Sequence, residues 1–246
     1  MTVPTAGCTF RNGDGSATDF FPLHADDTWI YEVARPLRNL RTRMTVRVRG
    51  EHYVPSLRRR CRLVDESYAG NDAELEGSSA GGGKAEIYPI AYYHENGFWY
   101  RALSLLYSGS EVYDVGLGSV EERFLPDGLG LDLSWDSVTT AYDLGGGNGY
   151  DVRQTHRALP EPRLIEVPAG RFTGCIRVDT MALHSNRRDG QYDSAPIVLY
   201  YSDWYAPNVG LIRSVQSNRN DGEPSSSGPF LSQIELIAYD VERAGR

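Results

Sequence analysis

Apolar and polar positions alternate in short runs that Gly, Pro, Asn and Asp interrupt, and no stretch carries a convincing amphipathic helical period. Met44-Thr45-Val46-Arg47-Val48-Arg49 alternates strictly, as a half-buried strand does, and Cys61 and Leu63 continue the pattern with arginines on the opposite face. Trp29-Ile30-Tyr31-Glu32-Val33 is a short strand entered by a turn at Asp26-Asp27. Residues 85–94 and 98–107 are apolar and aromatic runs separated by Asn96-Gly97, the preferred type I′ hairpin pair because both positions take positive φ. That turn sets Glu95 against Phe98, His94 against Trp99, Tyr93 against Tyr100 and Tyr92 against Arg101. One face then carries Phe98, Tyr93, Tyr100, Ile87 and Leu106; the other carries Trp99, His94, Tyr92, Ile90, Leu103, Tyr88 and Leu105. Both faces are apolar, so this hairpin is covered on both sides or lines a cavity with one of them.

Further strands are expected near 150–159, 163–167, 171–183, 196–205, 210–217 and 230–241. The stretches 69–84 and 116–149 read as Gly-rich loops. Pro168-Ala169-Gly170 supplies a tight reversal, after which Phe172, Ile176 and Val178 are expected on one face. The pattern predicts an all-β chain of roughly ten to twelve antiparallel strands in one large curved sheet or half-barrel, with little helix. Residues 1–18 read as a flexible leader and 19–246 as a single β domain.

Composition agrees with that class and narrows the partners. Gly (26) and Pro (13) are frequent among 246 residues, as many chain reversals require. The net charge of −8 argues against a general nucleic-acid binder, since an acidic surface repels phosphate. Lys84 is the only lysine among 25 basic residues, which points to a GC-rich bacterial coding bias. No run of 18 apolar residues is present, so no transmembrane span is expected.

Three cysteines lie far apart in the sequence. Cys61 and Cys175 fall within expected strands and would form a disulfide if those strands adjoin, or stay as buried thiols. Cys8 follows Thr5-Ala6-Gly7, the small-residue context of a bacterial lipidation site, although only seven residues precede it.

Candidate chemistry is sparse. The sequence lacks GxSxG, HExxH and P-loop signatures, and its five histidines (His24, His52, His94, His156, His184) are scattered singly. No metal site and no cofactor are expected. Asn12, Asp14, Ser16 and Thr18 alternate as in a calcium loop, but Leu23 occupies the place of the closing Glu. Asp127, Asp132 and Asp136 near Trp135 are the carboxylates a hydrolase would use. The aromatic hairpin is the better candidate: Trp99, Tyr92, Tyr88 and Leu103 would line a concave face for an acyl chain or another apolar ligand.

Four segments carry a resemblance: Asp19-Phe20-Phe21-Pro22-Leu23 running to Trp29-Ile30-Tyr31; Val167-Pro168-Ala169-Gly170-Arg171-Phe172 with Cys175 and Val178; Trp204 to Ile212; and the strand around Glu235-Leu236. They resemble a loosely defined group of uncharacterised bacterial envelope proteins, distantly similar to the lipoprotein-carrier (LolA/LolB-like) class. The resemblance implies an antiparallel sheet curled into an open half-barrel in the cell envelope or periplasm. It also implies a non-catalytic protein that binds a hydrophobic or lipidic ligand. The alternative is a structural or assembly subunit meeting protein partners through loops and a sheet edge.

Overall fold

The computed structural model describes residues 19–69, 87–103, 105–108, 111–114, 120–130, 132–142, 149–188, 191–192, 195–217 and 231–241. Cys8, the 12–18 calcium-like pattern and the 77–83 glycine run lie outside these residues. The strands in chain order begin with β1 (Thr28–Arg35), β2 (Leu40–Val54), β3 (Arg59–Ala69), β4 (Ile87–Glu95), β5 (Phe98–Leu103), β6 (Leu105–Ser108), β7 (Glu111–Asp114) and β8 (Val120–Pro126). They continue with β9 (Ser134–Tyr142), β10 (Gly149–Glu161), β11 (Ile165–Val167), β12 (Gly170–Phe172), β13 (Cys175–Arg188), β14 (Gln191–Tyr192), β15 (Ile197–Ala206), β16 (Gly210–Ser217) and β17 (Ser232–Asp240). The one helical turn among the described residues is a 3-10 turn, Pro36–Arg38.

Twelve strands form one antiparallel path in the order β8-β5-β4-β3-β2-β1-β17-β16-β15-β13-β10-β9. Its two end strands, β8 and β9, come against each other, so the expected half-barrel is curled further, nearly into a closed barrel. Closure follows from local features that accumulate. Register shifts at Ile30/Tyr31, Val48/Gly50, Trp99/Tyr100 and Trp204/Tyr205 add twist and bend to the long strands.

The Asn96-Gly97 hairpin forms with both residues at positive φ (51° and 79°), and its register pairs Tyr92 with Arg101, Tyr93 with Tyr100 and His94 with Trp99 as expected. The 116–149 stretch departs from expectation, because β8 and β9 lie within it. These strands lack an apolar alternation because their buried positions include Glu122, Ser137 and Thr139. The 171–183 stretch also divides. Gly174 (φ 66°) ends the small β11–β12 hairpin before β13 begins, so Phe172 packs apart from Ile176 and Val178.

One end of the barrel is sealed by the segment before β1. Phe20 is buried among Leu125, Trp135, Ile176, Val178 and Tyr205, and Phe21 meets Tyr92, Trp99 and Phe124 edge-on at 5.1–5.8 Å. The Asn208 N–H donates to the Asp19 carbonyl (2.6 Å), and the Trp29 indole N–H donates to the Val209 carbonyl (2.6 Å), fixing this plug to the β15–β16 turn. Gly210 in that turn takes a φ of 93°, a conformation that side-chain-bearing residues rarely adopt.

Cys61 and Cys175 are both free, which corrects the disulfide expectation. β3 and β13 do not adjoin, and five strands separate them along the sheet path. Cys61 packs in a separate small cluster with Val54, Leu57 and Tyr93. Burial pushes each thiol up to about 11, so little thiolate forms at pH 8. Iodoacetamide is expected to spare both in the folded protein and to alkylate both in guanidinium without reductant. A requirement for reductant would contradict the structure.

Candidate functional site

Strand parity sends one set of side chains from each strand into the barrel. Near the plug these are apolar or aromatic: Trp29, Val48, Val64, Tyr92, Trp99 and Tyr205. Beyond them lies a polar layer contributed by strands distant in the sheet. Arg101 on β5 pairs with Glu122 on β8 (Nε–Oε2 2.8 Å) and lies over the Phe124 ring at 4.7 Å. Glu66 on β3 and Asp203 on β15 both feel the Arg101 charge, although seven steps of the sheet path separate β5 from β15. Only inward convergence across the barrel brings these groups together.

This layer is enclosed and still has free surface. Arg101 keeps 29% of its side-chain surface accessible, and Glu66, Asp203, Tyr201, Ser214 and Gln216 are half-buried, although all lie on inward positions. Side chains just fill an eight-stranded barrel, and twelve strands enclose a wider space. The polar layer thus forms a floor across the barrel, with part of its surface accessible.

Burial dominates the protonation of the floor. It raises the Glu66 carboxyl and lifts Asp203 to about 6, even though the Ser214 hydroxyl and Arg101 favour the Asp203 anion. It also lowers His156 to about 4, leaving a neutral imidazole at pH 7. His156 Nδ1 lies 2.8 Å from Thr180 Oγ1 and Nε2 lies 3.0 Å from Ser137 Oγ, while the ring stacks on Trp135 at 4.9 Å. Ser137 also donates to Gln154 Oε1 (2.9 Å), so Thr180, His156, Ser137 and Gln154 form one hydrogen-bonded chain along the wall.

Asp203 gives a pH prediction. Its folded value of about 6 exceeds the ordinary 3.8, so its contribution is fully present below pH 3.8 and is lost as pH rises through about 6. Asp203→Asn is expected to leave stability unchanged at pH 4 and raise it by about 2 kcal/mol at pH 8. Urea unfolding at both pH values checks this; equal effects at both would contradict it.

The aromatic hairpin contributes differently from expectation. Tyr92 and Trp99 face inward and pack edge-on against Phe21 of the plug. Tyr88 is 40% exposed and meets Tyr68 edge-on. Leu103 ends β5, and its side chain lies outside the described ones. The three candidate carboxylates are exposed on the outer surface, each with its own partner. Asp127 pairs with His94 (2.6 Å), Asp132 with Arg157 (3.6 Å), and Asp136 accepts from the Thr155 hydroxyl (2.9 Å). An outer depression of about 240 Å³ lined by Glu32, Arg41 and Glu235 is similarly self-neutralised, by Arg41–Glu32 and Arg213–Glu235 pairs at 2.7 Å.

Sequence reasoning passed over Arg101, Glu122, Glu66 and Asp203. One signal was available: the Asn96-Gly97 register places Arg101 opposite Tyr92 and therefore on the face that carries Trp99.

No family model and no curated protein matches this chain. Two solved structures are similar to it. One is described as "a putative lipoprotein" from Parabacteroides distasonis (20% identity, 91% of this chain and 99% of that chain covered, TM-score 0.56). The other is described as "a putative exported protein with YmcC-like fold" from Bacteroides fragilis (14% identity, 91% and 100% covered, TM-score 0.45). The first likeness establishes a shared fold, that of an uncharacterised lipoprotein-like β protein. Neither is described as a lipoprotein carrier.

Proposed function

We propose that this protein is a non-catalytic component of the bacterial cell envelope that binds an amphipathic ligand in its barrel. The observation that carries this reading is the charged floor, whose side chains keep accessible surface while pointing inward. Such groups are stable only when water or a ligand meets them. Ile234 and Tyr68, partly buried on inward positions, offer apolar contact to the rest of a ligand. The ligand is thus one with a polar head and an apolar body, which refines the purely apolar occupant expected from the hairpin.

Burial weakens the His156 imidazole as a proton acceptor, which supports the non-catalytic reading. An envelope location is supported by the lipoprotein with the same fold, and Cys8 after Thr5-Ala6-Gly7 would be the lipidated residue. A Cys8→Ser variant should lose palmitate labelling; labelling that persists would remove the anchor assignment.

Native mass spectrometry of protein purified from envelope fractions tests the ligand. The expected result is a bound species, recoverable in organic solvent, with both polar and apolar parts. A mass equal to the bare chain, with no uptake of added amphiphiles, would overturn this reading and favour the assembly subunit. That second reading has its own support in Val138 and Met181, 63% and 45% exposed on the outer wall.

A further inference from the structure

The plug crosses one end of the barrel, from the β15–β16 turn, where Asn208 bonds Asp19, to β2 and β3. There the Asp26 N–H donates to the Val48 carbonyl (2.9 Å), and Arg62 donates to the Leu23 carbonyl. β1 pairs with β2 no further than Arg47, and β4 pairs with β3 no further than Arg62. Past that level the β2–β3 hairpin pairs only with itself, so its tip extends beyond the plug.

This tip concentrates positive charge on an acidic protein. Five arginines and one glutamate lie between Arg49 and Arg62, in a chain of net charge −8. Leu57 packs on Val54, Cys61 and Tyr93, and Arg59 is held by Glu95 (3.3 Å) and by the Tyr93 ring (4.1 Å). Arg58 and Arg60 are exposed and have no ion pair among the described residues. Tyr53 stands opposite Arg60 in the ladder, on the same face, and is 59% exposed. Around the tip Asp26 pairs with Arg47 (2.6 Å) and Asp127 with His94 (2.6 Å), which leaves two free arginines against Glu51.

Two further observations do not depend on charge. Among the described residues, six that are not glycine take positive φ. Asp26, Asn39, Asn96, Asp132 and Asn208 are of types that tolerate it, and Arg58 (φ 52°) is the sixth. Glycine or asparagine would close this turn at lower conformational cost, yet the position carries a cation. Cys8 lies eleven residues before Asp19, so an acyl chain there is held within about 40 Å of this same end.

We infer that the β2–β3 hairpin tip docks on an anionic phospholipid surface, with Arg58 and Arg60 on headgroup phosphates and Tyr53 in the interfacial layer. Basic side chains near such a surface each strengthen binding, and tyrosine rings settle at headgroup depth. At about 0.1 M salt, charges more than about 10 Å from the bilayer are screened, so the tip outweighs the acidic remainder. A basic patch of this kind supplements an acyl anchor. The inference rests on the envelope reading and names the surface that meets the bilayer.

Full-length Cys8→Ser protein, which carries no acyl chain, is sedimented with vesicles of phosphatidylcholine or of its equal mixture with phosphatidylglycerol. In about 0.1 M salt it is expected to bind the anionic vesicles about tenfold or more tightly, and about 0.5 M salt should remove the preference. Arg58→Gln/Arg60→Gln should also remove it, and Tyr53→Ser should weaken binding severalfold. Arg43→Gln/Arg153→Gln takes the same charge from exposed, unpaired positions on the barrel wall and should leave binding unchanged. Circular dichroism and urea midpoints verify that these surface variants fold alike. Equal binding to the two vesicles, no binding to either, or equal losses in the two arginine pairs overturns the docking tip. Binding confined to a soluble polyanion such as dextran sulfate overturns it as well. Recovery of the unmodified protein in envelope fractions reports the envelope reading separately, so the failure of either is seen on its own.

Discussion

Arg101→Met is expected to lower unfolding stability by about 3–5 kcal/mol at pH 7, the cost of leaving one partner of a buried ion pair alone. Among the described residues the guanidinium is the one cation paired with Glu122, whose side chain is 4% exposed, and it also offsets Glu66 and Asp203. Methionine fills much of the same volume, so the cost comes from an uncompensated buried carboxylate more than from a void. The deficit should shrink as pH falls towards about 4, where carboxylate charge is lost. A second substitution, Glu122→Gln, placed on Arg101→Met should recover most of the loss, because it removes the orphaned charge. Urea unfolding of the two variants at pH 7 and pH 4 measures both effects. A loss below about 1 kcal/mol at pH 7 would mean that water in the barrel screens the pair as it would at the surface.

Phe20→Ala is expected to cost about 3–5 kcal/mol, although Phe20 lies outside every strand. Its ring is 4% exposed and touches a cluster built from β8 at one end of the sheet path and from β15, β13, β10 and β9 at the other, so it spans the two ends that closure brings together. Removing it opens a cavity where the plug meets the seam between β8 and β9, the one place where backbone hydrogen bonds do not join the path. The neighbouring structure has little freedom to collapse into that space, because Asn208 ties Asp19 in place on one side and Trp29 is fixed to Val209 on the other. Leu125 and Trp135 should become solvent-accessible in the variant, which tryptophan fluorescence reports as a red shift. An unchanged midpoint with unchanged fluorescence would show that the barrel closes without its plug.

The elements that could be read from the chain are those set by short-range chemistry. Asn96-Gly97 dictates its hairpin and register because two adjacent residues tolerate positive φ. Alternation in Met44–Arg49 dictates a half-buried strand because side chains in a strand point to opposite faces. Pro168-Ala169 before Gly170 likewise dictates the β11–β12 turn. These local rules led to an all-β antiparallel sheet with about the right number of strands, and to Tyr92 and Trp99 on a common face.

The limits of the reading have an equally physical origin. β8 and β9 were hidden because inward positions are recognised by being apolar, and theirs include Glu122, Ser137 and Thr139. Those residues face inward without an apolar pattern because the barrel is wide enough to hold a polar layer, a property of twelve strands closing together that no single strand carries. Arg101 and Asp203 stand about a hundred positions apart in the chain, and each alone reads as an ordinary outward charge on a strand. Cys61 and Cys175 looked equally suited to pairing or not, since strand adjacency decides it and adjacency is set by the order of the whole sheet. The strands, turns and their faces follow from dihedral preference and alternation, which act over a few residues. Which faces become the inside, and that the inside holds charge, follows from closure, where groups distant in sequence share one desolvated space and set each other's protonation.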